Sequence, residues 1–420
     1  MKTPLILIGF FLFGLTAVCV AQDTLRLDLR QAEQLFLTEN YTLLAQKYET
    51  EQAKAEVITA RLFDNPEISH ENLLYNHETK RLLETSMATG QFNTEIAQLI
   101  KLAGKRNKNI QLANAGVKLS EYAYFDLMRS LRYQLRSTFY KAYYARQSAS
   151  LYQQQVESLQ QLLQSSEAQL KMGNTALKDV MRIKSLVYSL KAEYTALLNE
   201  IEDLESELKL MTNIKANTPL HLILLETDVQ PDIVKPYSLL IDSARSNRAD
   251  LQLAKANLNY AEKNLSLQKA MAIPDIELSL SYDLKGNYPE KYTGIGIKMP
   301  IPLFNRNQGE IKKARIAIEA GNAGIRQQEA ILENEVFNSY QTALRTKNLY
   351  QEIDIDFAGN FEKLVTEVTK NFKSRNISLI EFLDFYDSYK ENTLQLNTLK
   401  YELMNAREEI NYVTGSSIFK

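Results

Sequence analysis

PIPLFNRNQGEI, residues 300–311, decides the fold of this chain. It closes YTGIGIKMPIPLF (292–304), in which apolar residues alternate with small or polar ones at the period of a β-strand. Pro300 and Pro302 remove two backbone donors and so end strand pairing. Asn305, Arg306, Asn307, Gln308 and Gly309 then form a polar turn, and a helical pattern free of proline follows to about residue 372. The stretch reads as a joint at which a strand becomes a very long helix.

The joint occurs twice. IAQLIKLAGKR (96–106) lies over IKMPIPLFNRN (297–307) at an offset of 201. Pro66, opening NPEISHENLLY, and Pro274, opening IPDIELSLSY, are 208 residues apart. KMGNTALKDV (171–180) meets KSRNISLIEF (373–382) at an offset of 202. A repeat of about 200 residues is far longer than a solenoid unit, so the chain is a duplicated domain. The divisions expected are 22–212 for the first copy, 213–235 for a connector with Pro219, Pro231 and little regular helix, and 236–420 for the second copy.

Each copy orders its elements as helix, strand, loop, strand, very long helix, short turn, long helix. The opening helices are expected over about 28–61, capped by Asp28, and about 236–271, with Pro236 in the first turn. In the second copy Ile276, Leu278, Leu280 and Tyr282 share one strand face, and Ile295, Ile297, Met299 and Ile301 repeat it after the loop KGNYPEK. Strands of nine or ten residues with this alternation fit either a half-buried hairpin or a transmembrane β-hairpin. The first-copy hairpin is weaker, with His70 and Asn72 where Leu278 and Leu280 stand. The long helices, about 105–171 and 308–372, would each extend about 100 Å at 1.5 Å per residue. The return helices carry coiled-coil seams, Val180-Ile183-Val187-Leu190 through Met211 and Phe382-Phe385-Tyr389 through Val413. The fold class is therefore mainly α with a small β part.

Composition agrees. Glycine and proline are few at 14 and 9, tryptophan is absent, and the net charge of −2 offers no field for nucleic acid. Residues 1–21 read as a signal peptide: Lys2, the 16-residue apolar run LILIGFFLFGLTAVCV, and Cys19-Val20-Ala21 before Gln22. A membrane anchor is the other reading, but 16 residues fall short of a span. Cys19, the only cysteine, follows Val18, so lipidation is not expected. No later apolar run is long enough for a helical span. No phosphate loop, zinc-protease motif or nucleophile elbow is present, so neither an enzyme nor a cofactor is expected. His70, His77 and His221 are too scattered for a metal site.

An exported chain with two membrane-length hairpins supplies four strands, and the smallest transmembrane barrels have eight. Open sheet edges are not tolerated in lipid, so several chains must share one barrel. A periplasmic coiled-coil protein without a pore would explain the helices but not the matched hairpins.

The residues that carry both joints, together with LRQAEQLFLTENYTLL (29–44) and NRADLQLAKANL (247–258), resemble the TolC family of outer-membrane efflux proteins over nearly the whole mature chain. Gly104-Lys105-Arg106 and Asn305-Arg306-Asn307-Gln308-Gly309 resemble its CzcC-like, heavy-metal branch most. The resemblance implies a homotrimer in the outer membrane of a Gram-negative bacterium. Its twelve-stranded β-barrel would continue as a periplasmic α-helical tunnel. It also implies a periplasmic adaptor and an inner-membrane pump of the resistance-nodulation-division type, with drug or type I secretion systems as alternative settings. Acidic residues inside the second hairpin tip would ring the tunnel mouth; the matching positions are Glu381 and Asp384, with Asp179 the first-copy counterpart of Glu381. On their residues alone these are equally solvated helix charges or partners of Lys178 and Arg182. Gly173, Asn174, Thr175, Leu177, Asn376, Ser378 and Leu379 would reverse the chain at the tips and dock the adaptor. Arg375 stands where the family pattern has glycine.

Overall fold

The computed structural model describes residues 24–225, 234–286, 289–353, 363–364, 367–374 and 376–419. The signal-peptide reading of 1–21, Cys19 included, and the turn at Arg375 lie outside the described residues.

The first copy runs β1 (Leu25–Asp28), α1 (Leu29–Glu39), α2 (Tyr41–Arg61), β2 (Glu67–Asn72), the short β3 (Tyr75–Asn76) and β4 (Arg81–Leu82), β5 (Phe92–Ile100), α3 (Lys105–Lys171) and α4 (Leu177–Thr212). β6 (Leu220–Ile223) lies in the connector. The second copy runs α5 (Tyr237–Asn247), α6 (Ala249–Met271), β7 (Ile276–Asp283), β8 (Tyr292–Lys298), α7 (Gln308–Glu352) and α8 (Leu379–Thr414). At 67 residues, α3 is about 100 Å long.

Asp28 starts α1 as the sequence suggests: its Oδ1 accepts from Gln31 N at 2.7 Å, and Gln31 Oε1 accepts from Asp28 N at 3.2 Å. The opening helices are not continuous, however. The first breaks at Asn40, whose Oδ1 caps α2 by accepting from Leu43 N at 2.9 Å while its Nδ2 donates to Met211 O. The second breaks at Arg248, which is 1% exposed and pairs with Asp250 and Glu335. Asn40 and Arg248 are equivalent positions, 208 residues apart. Each break packs against the end of its own copy's return helix, where Asn213 and Gly415 take left-handed conformations (φ 54° and 65°). The connector has little helix among its described residues and adds a strand not read from the sequence: β6 pairs in parallel with β1, Leu25 opposite Leu220 through Asp28 opposite Ile223. Of the helix expected to 372, α7 carries the part to Glu352 and residues 363–364 and 367–373 are again helical; residues 354–362 and 365–366 lie outside the described residues.

Two apolar cores hold the helices. One joins α1, α3, α4, α5, α7 and α8 around Phe36, Phe139, Leu208, Leu240 and Ile410, with β1 and β6 against it. The other lies toward the hairpin tips, around Tyr152, Leu159, Ile183, Val187, Leu190, Phe382 and Tyr386. The α4 seam buries Val180, Ile183, Val187, Leu190, Ile201, Leu204, Leu208 and Met211. On α8 the seam shifts near the tip: Tyr386 is buried and Phe385 is not, because the Tyr386 hydroxyl donates to Gln155 O at 2.9 Å and its ring lies against Phe382.

Candidate functional site

The four longer strands form one antiparallel sheet in the order β2-β5-β7-β8. The two hairpins are thus joined across the duplication, with Ile96 opposite both Ile68 and Leu280, and Leu280 opposite Ile295. This register puts Ile68, Ile96, Leu278, Leu280, Ile295 and Ile297 on one face, apolar mainly in the second copy, since His70, Asn72, Thr94, Gln98 and Thr293 share it. Ser69, Glu95, Glu277, Ser279, Ser281 and Lys298 fall on the other. The apolar face is uncovered: Ile295 is 82% exposed and Ile68 72%. β2 and β8 are its unpaired edges. The strands have six to nine residues, and β8 stops at Lys298 because Pro300 cannot extend the ladder. A sheet with one uncovered apolar face, one polar face and two free edges is a segment of a larger wall.

Both joints turn on a left-handed residue. At the first, Gly104 caps α3 with φ 67°, and Asp275 at the start of β7 accepts from Leu102 N at 2.9 Å and from the buried Lys105 Nζ at 2.6 Å. The first copy's joint is thereby tied to the second copy's strand. At the second, Asn307 caps α7 with φ 60°, and its Nδ2 donates to Gln268 O at 2.8 Å. The prolines of one joint are replaced in the other by a glycine and an ion pair.

The tips differ from each other in one respect. In the first, Gly173 has φ 76°, its N–H donates to Leu170 O and Asn174 N to Gln169 O, both at 2.9 Å, which closes the end of α3. In the second, Asn376 N donates to Asn371 O at 2.9 Å in the same way, and Ser378 then caps α8 in a box with Glu381. Ser378 N donates to Glu381 Oε2 at 2.8 Å, and Glu381 N donates to Ser378 Oγ at 3.3 Å. These bonds from Ser378, its backbone N–H first, hold the Glu381 carboxyl below the usual carboxylate range. Glu381 and Asp179 are each the third residue of their helices, and Asp384 is exposed one turn beyond Glu381. Thr175 is half-buried and caps nothing, since Ala176 is the N-cap of α4. Leu177 is exposed, whereas Leu379 is half-buried against the tip core.

Sequence reading missed three features here. Met172, Met181 and Ile380 are exposed, as Leu177 is, in or next to the tip segments. Asp387, half-buried on the same helix as Asp384, has its carboxyl pushed up, chiefly by burial. Above the tips Glu193 joins three helices, its Oε2 accepting from Tyr152 OH at 3.0 Å and Lys390 Nζ at 3.1 Å. Burial opposes ionisation of Glu193, but the Lys390 and Tyr152 bonds outweigh it and hold its carboxyl low. The scattered histidines have ordinary partners: His70 Nδ1 lies 2.8 Å from Thr94 Oγ1, and His77 packs edge-on to Tyr75. Among the described residues no group of three or more potential ligands could hold a metal ion.

A sheet segment of this kind, one of whose strands leads into a helix about 100 Å long, is a β-to-α arrangement whose four strands are too few to close a barrel alone. The chain belongs to the outer membrane efflux protein family, whose pattern it matches over residues 32–213 and 240–357. It is similar to the cobalt-zinc-cadmium resistance protein CzcC of Cupriavidus metallidurans, at 21% identity over 359 residues, 85% of this chain and 82% of that one. Its fold is similar to the CmeC outer membrane channel of Campylobacter jejuni, with a TM-score of 0.73 at 16% identity over 92% of this chain and 85% of that one. It is similar also to CusC, with a TM-score of 0.70 at 16% identity over 92% of both chains.

Proposed function

We propose that this chain is the outer-membrane exit duct of a tripartite efflux system and that its cargo is heavy-metal cations. Three copies share twelve strands, β2 of one subunit pairing with β8 of the next, so that no edge faces lipid. The apolar sheet face meets lipid, the polar face lines the passage, and the helices carry that passage into the periplasm. A periplasmic adaptor docks at the hairpin tips through Gly173, Asn174, Thr175, Leu177, Asn376, Ser378 and Leu379, and a resistance-nodulation-division pump drives transport. Glu381, Asp384 and Asp179 are the acidic residues of the mouth. In a three-fold ring each carboxylate recurs three times at close range, which favours cations.

The observation that carries this reading is the four-stranded sheet: one face is apolar and uncovered, both edges are free, and each hairpin leads into a long helix. The likeness to a cobalt-zinc-cadmium resistance protein over most of both chains supports the cargo. Deleting the gene should lower tolerance to zinc, cobalt or cadmium, and restoring the chain should recover it. Unchanged metal tolerance together with lost detergent tolerance would defeat the cargo assignment and favour a drug duct. Release of the protein from membranes by a carbonate wash would defeat the duct itself.

A further inference from the structure

The joints carry a feature that a conduit alone does not require. Phe63 lies between α2 and β2, and Leu303 and Phe304 lie between β8 and α7. Both segments flank the same end of the sheet, since β2 and β7 begin there and β5 and β8 end there. Phe63 is 74% exposed, Leu303 70% and Phe304 90%. Because β2 and β8 are the two edges, closing the ring brings Phe63 of one subunit near Phe304 of the next.

The same level is basic. Residues 100–108 hold Lys101, Arg106 and Lys108 besides the buried Lys105, which Asp275 neutralises, and residues 299–315 hold four bases against Glu310 alone. The Arg106 guanidinium lies 3.9 Å over the Phe63 ring, its Nε donating to Arg61 O at 2.8 Å. Lys101 is 40% exposed, 2.9 Å from Asp64, and Arg306 is exposed. The chain as a whole has a net charge of −2, so this band is not inherited from composition. Large apolar side chains exposed beside a row of cations, next to an uncovered apolar sheet face, match the depth profile of a phospholipid leaflet: acyl chains first, then phosphates.

We infer that the joints form a lipid-binding collar that seats the duct in a leaflet containing anionic phospholipid. Phe63, Leu303 and Phe304 enter the acyl region, and Lys101, Arg106 and Arg306 contact lipid phosphates. The collar rests on the membrane reading above and adds to it a headgroup preference and the residues that exert it.

The sequence has no tryptophan, so Phe304→Trp in the full chain introduces a single fluorescent reporter at an exposed position. The protein is reconstituted into vesicles of phosphatidylethanolamine and phosphatidylglycerol, with brominated acyl chains on one lipid or the other. Both should quench, and brominated phosphatidylglycerol should quench more strongly at equal mole fraction. Enrichment at the collar is roughly fivefold for each arginine in contact. Adding Lys101→Gln, Arg106→Gln and Arg306→Gln should bring the two lipids level, and Arg106→Lys with Arg306→Lys, Lys101 left in place, should keep the preference. Absence of quenching, meaning that water or protein covers the site, overturns the collar, and so does equal quenching by both lipids in the arginine-intact protein. Phe63→Trp repeats the test at the other joint. Ion conductance through the same vesicles separates the two proposals: conducting vesicles with an unquenched reporter overturn the collar alone, whereas a quenched reporter without conductance supports the collar and overturns the duct.

Discussion

Gly415 closes α8 in a left-handed conformation, and a Cβ added to it would stand 3.0 Å from the backbone N and Cα of Arg248. Gly415→Ala therefore combines backbone strain with a backbone clash and should cost about 2–4 kcal/mol. Its first-copy counterpart, Asn213, has the same conformation and donates to the Tyr41 hydroxyl at 3.2 Å, so Asn213→Gly should change stability by well under about 1 kcal/mol. Thermal denaturation of the two variants in detergent decides it; equal losses would contradict this account of the helix ends. Arg248 itself is 1% exposed between Asp250 and Glu335. Arg248→Ala removes charged hydrogen bonds to Asp250, which keeps Arg129 at 3.3 Å and Gln328, and to the part-exposed Glu335, and should cost about 2 kcal/mol. Burial opposes the charge on Arg248, but its bonds to Asp250 and Glu335 prevail and raise its pKa. None of this is visible in the sequence, where an arginine after Asn247 looks like a surface residue inside a helix. An asparagine at 40 could have been read as a cap, yet its second bond, to Met211 O, spans 171 positions of chain.

Whole elements were more legible than their ends. The long helices follow from a scarcity of proline and glycine over dozens of residues, and α3 begins and ends where that pattern does. The strands follow from period-two alternation, and the prolines after β8 mark its end. The β1–β6 pair left no local signal, because four-residue parallel strands so distant in sequence are specified only by the core they cover. The acidic residues proposed for the entrance come from the family resemblance at the hairpin tips, and the geometry sets them in different surroundings. Glu381 is tied into the Ser378 cap, while Asp384 is exposed and free of that cap. Ser378→Ala should thus loosen the start of α8 by about 1 kcal/mol. Asp384→Ala should leave the melting temperature nearly unchanged but reduce block of single-channel current by multivalent cations. Unaltered block in both Asp384→Ala and the double variant with Glu381→Ala would remove the acidic mouth from the mechanism.

On the scale of the molecule, the hairpins are held together by hydroxyls as well as by apolar packing, and this sets an upper pH limit. Burial pushes the Tyr133, Tyr144 and Tyr152 phenols up to about 12, Tyr133 stacked on Tyr412, Tyr144 in the larger core and Tyr152 in the tip core; for Tyr152 the bond to Glu193 adds to the effect. Tyr386, in the same tip core and bonded to Gln155 O, is raised further by the same burial. A tyrosine held above its ordinary value of 10.0 stabilises the fold in its neutral form. That stability is complete below about pH 10, the unfolded value, and is lost as pH climbs through the folded values near 12. Helix content should accordingly hold to about pH 10 and fall between about 10 and 12, in step with a late group of tyrosines in the tyrosinate absorbance. That absorbance is clean because the chain lacks tryptophan. Tyr152→Phe keeps the ring in its core and removes one ionisable group together with its bond to Glu193. It should lower neutral-pH stability by about 1 kcal/mol and shift the alkaline loss to higher pH. Helix loss complete below pH 10, before any late tyrosine ionises, would show that something other than these phenols limits the assembly in base.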